Sequence, residues 1–293
     1  MSVKVRVLGS AAGGGVPQWN CNCPNCGAAR ASRFPSLRRT QSSIAVADGS
    51  RWVLFNASPD LLAQLAVHPP LAPSGPGLRG SNIEAVVLTD GELDHVTGLL
   101  SLREHRSLRL VCTPAVRDLL TRQFSLLPVL RRYCRVQVSG FPARIGSLRI
   151  SALDVSAKAP PYASGRKRRG LVSGLKIESA GRRLAYLPGL SEITPAVERF
   201  IAGCDGLLMD GTFWSEREMV SLGLTRRTAW DMGHVPVGGP AGSLAWMRQL
   251  TIPRKIYIHI NNTNPLLRPK SPERRTVERA RVEVAWDGME ICL

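Results

Sequence analysis

Three cysteines near the start of the chain form its most specific chemical motif. The segment Cys21-Asn-Cys23-Pro-Asn-Cys26 places three thiols within six residues, so that a single turn can direct all of them at one ion. Thiolates are soft ligands that favour zinc in tetrahedral geometry. The motif predicts a structural zinc site with a fourth ligand from elsewhere in the chain. Unligated surface thiols are the alternative.

A second candidate site follows the apolar run at 83–87. Asp90, Glu92, Asp94 and His95 supply four candidate metal ligands directly after this predicted strand. Carboxylate and imidazole ligands suit iron, manganese or zinc, and they leave coordination positions open for chemistry. The alternative is an acidic turn whose carboxylates favour the N-terminus of the following helix.

Polar residues at two later strand ends favour the metal interpretation. Asp210 closes the apolar run at 206–209, and His259 lies within the apolar stretch 255–260. Buried polar groups need partners, and a shared metal ion is a good one. His234 lies in a loop with glycine and proline, where it is a candidate proton donor or substrate contact. Single histidines of this kind are more often hydrogen-bonded structural groups.

The elements that position these residues follow from hydrophobic patterning. Valines alternate with basic residues over 3–7 and predict a first strand, which leads into a glycine-rich turn. Helices are predicted from Pro114, Thr194 and Pro240. Because short apolar strands alternate with helices, we expect an α/β fold in one domain, 1–293. Further strands are predicted at 42–47, 51–57, 83–89, 108–113, 149–155, 174–179, 182–188, 205–211 and 255–261.

The composition is that of a globular protein with excess positive charge. Hydrophobic residues make up 44% and charged residues 21% of the 293 residues, and no apolar run is long enough for a membrane helix. The net charge of +17 suits an anionic partner, but scattered arginines with few aromatic residues between them argue against nucleic acid. Since the first residues lack the pattern of a signal peptide, we expect a cytoplasmic protein.

The other four cysteines have the pattern of buried, unpaired thiols. Each lies singly among apolar neighbours, and thiols stay reduced in the cytoplasm. We therefore expect no disulfide framework, and small core residues at Cys112, Cys134, Cys204 and Cys292.

The order of the polar motifs resembles a known superfamily. The segment 88–98, LTDGELDHVTG, followed by Asp210 and His259, is similar to the metallo-β-lactamase superfamily, whose first motif is HxHxDH. The resemblance implies an αβ/βα sandwich, with two mixed sheets face to face, helices outside and a metal site at one edge. More narrowly, the chain resembles the family of pyrroloquinoline quinone (PQQ) biosynthesis protein B. The resemblance is carried by the segments GSAAGGGVPQWNCNCPNC, RTQSSIAV, LFNASPD, DHVTGLLSLRE, KAPPY, MDGTFW, MGHVPVGG, IHINNTNP and WDGMEI.

The resemblance also implies an active-site ligand set that departs from the hydrolase pattern. Asp90 and Glu92 stand where hydrolases have two histidines, and the third-motif histidine is missing from the region 154–158. The remaining set of histidines and carboxylates resembles that of non-haem iron oxygenases, so iron is expected, with zinc or manganese as alternatives. The residues expected to hold this single ion are Asp94, His95, Asp210 and His259.

For the thiol motif, the resemblance implies the structural zinc site of the related phosphonate-pathway cyclic phosphodiesterase branch. There the fourth ligand is a histidine three residues after the last active-site histidine. Here that position is Asn262. An amide oxygen is a poor zinc ligand, so Asn262, a displaced group and water are the alternatives for the fourth position.

The resemblance implies an enzyme of PQQ biosynthesis. We expect an iron-dependent, O₂-using hydroxylase that acts on the tyrosine ring of a small, cross-linked Glu–Tyr intermediate. His234 would donate a proton or contact substrate, while Asp90 and Glu92 would orient ligands or water. Lys158 or nearby arginines would hold substrate carboxylates. Other PQQ biosynthesis proteins are the expected partners, and a homo-oligomer is left open.

Two other functions stay open. A carrier of PQQ or its precursor toward the periplasm would suit the loss of metal ligands, as in a binding-only descendant of a hydrolase. A metal-dependent phosphodiesterase or nuclease would suit the charge of +17 and His234. The missing histidines argue against this last function.

Overall fold

Short strands make up most of the regular structure of the chain. The computed structural model describes residues 3–31, 37–74, 76–163 and 168–293. The strands are β1 (Lys4–Gly9), β2 (Ser43–Asp48), β3 (Arg51–Phe55), β4 (Ile83–Val87), β5 (Ser107–Val111), β6 (Arg135–Ser139), β7 (Ala143–Ile145), β8 (Leu148–Ser156), β9 (Val172–Ser179), β10 (Arg182–Leu187), β11 (Gly206–Asp210), β12 (Arg254–Ile258), β13 (Glu283–Val284) and β14 (Glu290–Cys292).

These strands form two mixed sheets. The first has the order β14-β1-β2-β3-β4-β5-β6, and the second has the order β13-β12-β11-β10-β9-β8-β7. Strands β3 to β6 are parallel, as are β10 to β13, while the remaining pairs are antiparallel. Each sheet therefore has a parallel half, whose carboxyl ends face one edge.

Short helices connect and cover the sheets. None of the helices in the described part of the chain is long and apolar enough to cross a membrane. The helix predicted from Thr194 begins as expected, since the Thr194 hydroxyl accepts a hydrogen bond from Val197 N–H. The α-helices are α1 (Pro24–Arg30), α2 (Leu61–Ala66), α3 (Leu93–Val96), α4 (Pro114–Asp118), α5 (Leu126–Leu130), α6 (Pro195–Ile201), α7 (Glu218–Ser221), α8 (Ala229–Met232), α9 (Ser243–Met247) and α10 (Pro272–Arg279).

Three apolar layers hold the elements together. The inner layer joins the facing sides of both sheets, with residues such as Val53 from the first and Ile177 from the second. Leu120 belongs to a layer between the first sheet and its helices, and Val197 to the corresponding layer on the second sheet. This order of helices, sheet, sheet and helices is the predicted αβ/βα sandwich.

Several local predictions were wrong. The helix predicted from Pro240 begins only at Ser243, because Gly242 occupies the position before its first turn. After α4, the chain continues as a π-helix over Leu119–Gln123. Cys292 is exposed rather than buried, since it points outward on the edge strand β14, where side chains alternate. Strands β6, β7, β13 and β14 were not predicted.

Candidate active site

The predicted active-site residues meet where loops leave the parallel strands. Residues 90–95 follow β4 in the first sheet, Asp210 ends β11 and His259 follows β12 in the second. Ala12 N–H donates to the Ile260 carbonyl at 2.9 Å, which joins the glycine-rich turn after β1 to the same edge. Both sheets thus deliver side chains to one place, as is usual for sites at the carboxyl ends of parallel strands.

Asp90 is held by a network centred on His95. Its two carboxylate oxygens lie 2.9 and 2.8 Å from His95 Nδ1, and it accepts hydrogen bonds from Thr89 Oγ1 at 2.7 Å and Glu92 N–H at 2.9 Å. Burial opposes ionisation of Asp90, but His95 keeps the pKa of this carboxyl below its usual value. Asp90 therefore orients His95, and its Nδ1 contact leaves Nε2 for another partner.

Asp94, His95 and His259 form the first group of potential metal ligands. Asp94 Oδ2 lies 3.3 Å from His259 Nε2 and 3.9 Å from His95 Nε2. His95 Nε2 is buried and has no hydrogen-bond partner among the described residues. Despite burial, the two rings hold the pKa of Asp94 well below its usual value, and Asp90 and Asp94 raise the pKa of His95 to about 9. An unpartnered nitrogen facing a carboxylate and a second imidazole fits a metal ion.

Asp210 lies in a second group, with His234 and His259. Asp210 Oδ2 is 2.7 Å from His234 Nδ1, and Asp210 Oδ1 accepts hydrogen bonds from the Thr212 N–H and hydroxyl at 3.0 and 2.6 Å. The Thr212 hydroxyl also contacts His259 Nδ1 at 2.8 Å. The rings of His234 and His259 are stacked, with centroids 5.7 Å apart. His259 is therefore shared by both groups, whereas Asp210 contacts His234 and not Asp94 or His95 among the described contacts.

The backbone of His259 is strained. This residue follows β12 directly and has a φ of +62°, in the left-handed region that favours glycine. Such conformations persist at functional sites because the surrounding structure enforces them. The strain directs the His259 ring between Asp94 Oδ2 and the Thr212 hydroxyl.

Asp94, His95, His234 and His259 line one pocket of about 280 Å³, whereas Asp210 lies behind its wall. Its wall also contains Glu92 and Lys158, as well as Arg227, which was not predicted. Burial and the charges of Asp90 and Asp94 raise the pKa of Glu92 to about 7. Burial and Arg227 lower the pKa of Lys158 to about 8. The pocket thus places two cationic side chains beside an acidic and imidazole-rich wall.

Sequence reasoning missed two residues of this site. Thr212 follows Asp210 by two residues, and its place in the conspicuous MDGTFW segment was a usable signal. Arg227 is one of many arginines, and nothing in its local sequence distinguishes it from Arg226. Only the path of the chain between β11 and β12 brings Arg227 to the pocket.

The thiol motif forms a separate cluster near the same edge. The sulfur atoms of Cys21, Cys23 and Cys26 all lie within 4.8 Å of one another. Asn262 directs its side-chain amide at the cluster, with Nδ2 3.3 Å from Cys26 Sγ, and Asn25 Nδ2 donates to the backbone carbonyl of Asn262 at 2.9 Å. Rotation of the Asn262 amide by 180° would present Oδ1 instead. The three thiols in this arrangement fit three of the four ligand positions of a zinc ion.

Comparison with known proteins decides the family. The model of the beta-lactamase superfamily domain matches residues 51–260. Coenzyme PQQ synthesis protein B of Azoarcus sp. is 47% identical, with 99% of this chain and 100% of that protein covered. The chain belongs to the coenzyme PQQ synthesis protein B family. Its counterpart in Methylococcus capsulatus is also 47% identical, over 99% of both chains.

Solved structures agree with this family assignment. The crystal structure of Zn²⁺-bound PqqB from Methylobacterium extorquens has a TM-score of 0.92 and 39% identity, and covers 99% of this chain and 100% of its own. A diphosphatase of the PhnP family has a TM-score of 0.72 at 20% identity, covering 100% and 98%, and therefore shares the fold alone. The predicted metallo-β-lactamase sandwich and membership of the PQQ biosynthesis family are confirmed.

Proposed function

We propose that this member of the family is a metal-dependent hydroxylase that acts on the tyrosine ring of a small Glu–Tyr-derived precursor of PQQ. The observation that carries the proposal is the grouping of Asp94, His95 and His259. Two imidazoles and one carboxylate with open positions are the ligand type of non-haem Fe(II) oxygenases. Both carboxylate oxygens of Asp90 contact His95 Nδ1, so Asp90 is not counted as a metal ligand. We therefore assign one metal ion to the pocket, where a hydrolase of the superfamily would hold two.

In this proposal, iron is the active-site metal, and zinc or manganese are the alternatives that the same ligands accept. Asp94, His95 and His259 would hold the ion, with Asp210 as a further ligand if its contact with His234 is exchanged. When bound, the iron would supply O₂ activation for ring hydroxylation. The thiol cluster with Asn262 would hold a structural zinc, as a site separate from the chemistry.

The chain's own residues would position the substrate and move protons. His234 lies in the pocket wall with Nδ1 on Asp210, so its Nε2 is the atom that could exchange a proton with substrate. Asp90 would orient His95, and Glu92, with its pKa near neutrality, would orient water or accept a ring proton. Lys158 would bind a substrate carboxylate. We infer that other PQQ biosynthesis proteins supply the precursor.

Reconstitution tests this proposal directly. The protein is loaded with Fe(II) without oxygen, then mixed with air, a reductant and the cross-linked Glu–Tyr compound. Hydroxylation inserts one oxygen atom of O₂ into the ring, and the reductant supplies two electrons that convert the other atom to water. We expect O₂ consumption coupled to a hydroxylated product, and neither with His95→Ala. Absence of both from the iron-loaded wild type would refute the hydroxylase.

A carrier of PQQ or its precursor is the second candidate. It is favoured by Asp90 and Glu92, which replace imidazoles that a superfamily hydrolase uses. A carrier should bind PQQ with one-to-one stoichiometry in metal-free form, and His95→Ala should leave that affinity unchanged. Tight binding by the metal-free protein, together with no turnover of the iron-loaded protein, would favour the carrier.

A further inference from the structure

Two cationic side chains share the wall of the active-site pocket. Lys158 lies on the segment after β8, and Arg227 lies between α7 and α8, just before the Thr228 cap of α8. They come from distant parts of the chain, yet the charge of Arg227 contributes to lowering the pKa of Lys158. The fold therefore brings two like charges together in a pocket that also holds the potential metal ligands.

Neither cation has a carboxylate partner within salt-bridge distance among the described residues. Arg227 donates one hydrogen bond to the Asp231 carbonyl, at 2.8 Å, and this contact leaves most of its guanidinium donors free. Lys158 is half-buried, and Glu92 and Asp231 raise its pKa less than burial and Arg227 lower it. Two cations that share a pocket wall and lack carboxylate partners are stabilised when an anion binds between them.

The position of Lys158 depends on a glycine. Gly233 has a φ of +87°, and a Cβ atom added to it would lie 3.0 Å from Lys158 Cδ. Only glycine accepts this backbone conformation easily and leaves room for the lysine stem. The Lys158 side chain is therefore seated along the end of α8, in a place that the neighbouring backbone provides.

We propose that Lys158 and Arg227 together form a carboxylate-binding subsite, with Arg227 as a specificity-determining residue. This inference rests on the proposed function, since it makes the substrate a small acid whose ring faces Asp94, His95 and His259 while a carboxylate meets the two cations. The planar guanidinium can bind a carboxylate through two parallel hydrogen bonds, and the ammonium adds a third. The subsite selects acids over the corresponding amides or esters.

A binding experiment tests the subsite without turnover. The probe is PQQ, a stable tricarboxylate, and its affinity for the zinc-loaded protein is measured by absorbance titration at low salt. Arg227→Gln and Lys158→Gln should each weaken binding about ten- to a hundredfold, the loss expected for a charge-assisted hydrogen bond. Arg226→Gln is the matched control, because it makes the same charge change one residue away and Arg226 does not line the pocket.

Two further measurements test the charge of the ligand and the position of the Lys158 side chain. The trimethyl ester of PQQ should bind to the wild type at least as weakly as PQQ binds to Arg227→Gln, because the ester loses its charge toward both cations. Gly233→Ala should weaken PQQ binding without any change of charge, with folding verified by circular dichroism. Equal affinities of the Arg226→Gln and Arg227→Gln proteins, or tight binding of the ester, would overturn the subsite. Efficient displacement of PQQ by inorganic phosphate would also overturn the assignment to carboxylates.

The outcome is separate from that of the proposed function. A protein that binds PQQ through Lys158 and Arg227 but does not hydroxylate the Glu–Tyr compound refutes the hydroxylase and keeps the subsite. A protein that hydroxylates, with Arg227→Gln unaltered in binding, keeps the hydroxylase and refutes the subsite. If the wild type binds neither PQQ nor the Glu–Tyr compound, the subsite is refuted.

Discussion

Asp90→Asn should weaken active-site metal binding although Asp90 is not among the grouped ligands. Asp90 accepts from three donors, His95 Nδ1, Thr89 Oγ1 and Glu92 N–H, at 2.7–2.9 Å. An asparagine carries no negative charge and presents one carbonyl oxygen beside an NH₂ group, so it holds the proton on His95 Nδ1 less firmly, and in one amide orientation its NH₂ group faces that proton. If the proton of His95 moves from Nδ1 to Nε2 in response, the nitrogen that faces Asp94 can no longer bind a metal.

The size of the effect follows from the kind of contact that is lost. Partners that orient a metal-binding histidine contribute about 10–100-fold to metal affinity. This range corresponds to about 1.4–2.7 kcal/mol of binding free energy. Since the substitution removes a negative charge but little volume, it should not disturb the packing around β4.

The assay is metal affinity by chelator competition, together with the metal content of each chain. Zinc at the thiol cluster serves as an internal test of folding, because it should stay in the variant. Asp287→Asn is the control: Asp287 is a half-buried carboxylate that also accepts hydrogen bonds, from Ser10 and Thr40, but it does not line the pocket. An active-site affinity in Asp90→Asn equal to that of the control would refute this role of Asp90.

Three further predictions concern packing, the thiol cluster and pH. Gly13→Ala should lower active-site metal affinity, because the new Cβ would lie 3.3 Å from Asp94 Oδ2. Cys23→Ala should remove one zinc per chain and lower the melting temperature, since the cluster joins α1 to the Asn262 loop. Burial raises the pKa of Glu218 from 4.5 to about 7, so the native carboxyl keeps its proton where the unfolded one has lost it. Glu218 should therefore contribute a fall of about 3 kcal/mol to the free energy of unfolding as pH rises from below 4.5 to above 7, and Glu218→Gln should remove this contribution.

Each of these three predictions has a control. Gly140→Ala adds a methyl group 3.9 Å from its nearest contact and should leave metal affinity unchanged. Cys112→Ala removes a buried thiol outside the cluster, and an equal loss of zinc in this variant would contradict the role of Cys23. For pH, urea unfolding at several values compares wild type with Glu218→Gln, and parallel curves would mean that Glu218 does not cause the dependence.

The residues that sequence reasoning located are those whose type and strand-end position are conspicuous. Asp94, His95 and His259 follow apolar strands, and their convergence follows from the parallel halves of the two sheets. Contacts between distant residues have no such signal. The 2.7 Å contact between Asp210 and His234 depends on how the chain returns from α8, and a pattern in either segment cannot encode that distance.

The edge strands were missed for a related reason. Strands β7, β13 and β14 have only two or three residues, which is too short for an alternating pattern to stand out. Strand β6 is half exposed and lies at the edge of the first sheet, so its sequence is not apolar enough to predict a strand. Each of these four strands pairs with a neighbouring strand that the sequence does predict.

Two unfavourable features, each also found at other described residues, meet at the active site, where a metal ion would offset them. A buried ring nitrogen without a partner, as at His95, lowers the stability of the folded state by about 1–3 kcal/mol. The left-handed backbone of His259 lowers it by a similar amount. A carrier that binds its cargo without a metal has no need of either feature. A metal ion bound to both rings would offset these losses of stability. His95 Nε2 would gain a partner, and the His259 ring would bind the ion in the position that its backbone conformation imposes.

A metal ion at the active site should therefore stabilise the fold. In a Cys23→Ala background, where the thiol cluster no longer binds zinc, metal at a hundred times its dissociation constant should raise the unfolding free energy by about 2.7 kcal/mol. The same addition to Cys23→Ala/His95→Ala should change nothing. Thermal unfolding with and without metal measures both. An equal increase in the two proteins would place the ion elsewhere, and His95 and His259 would then be remnants of a lost site.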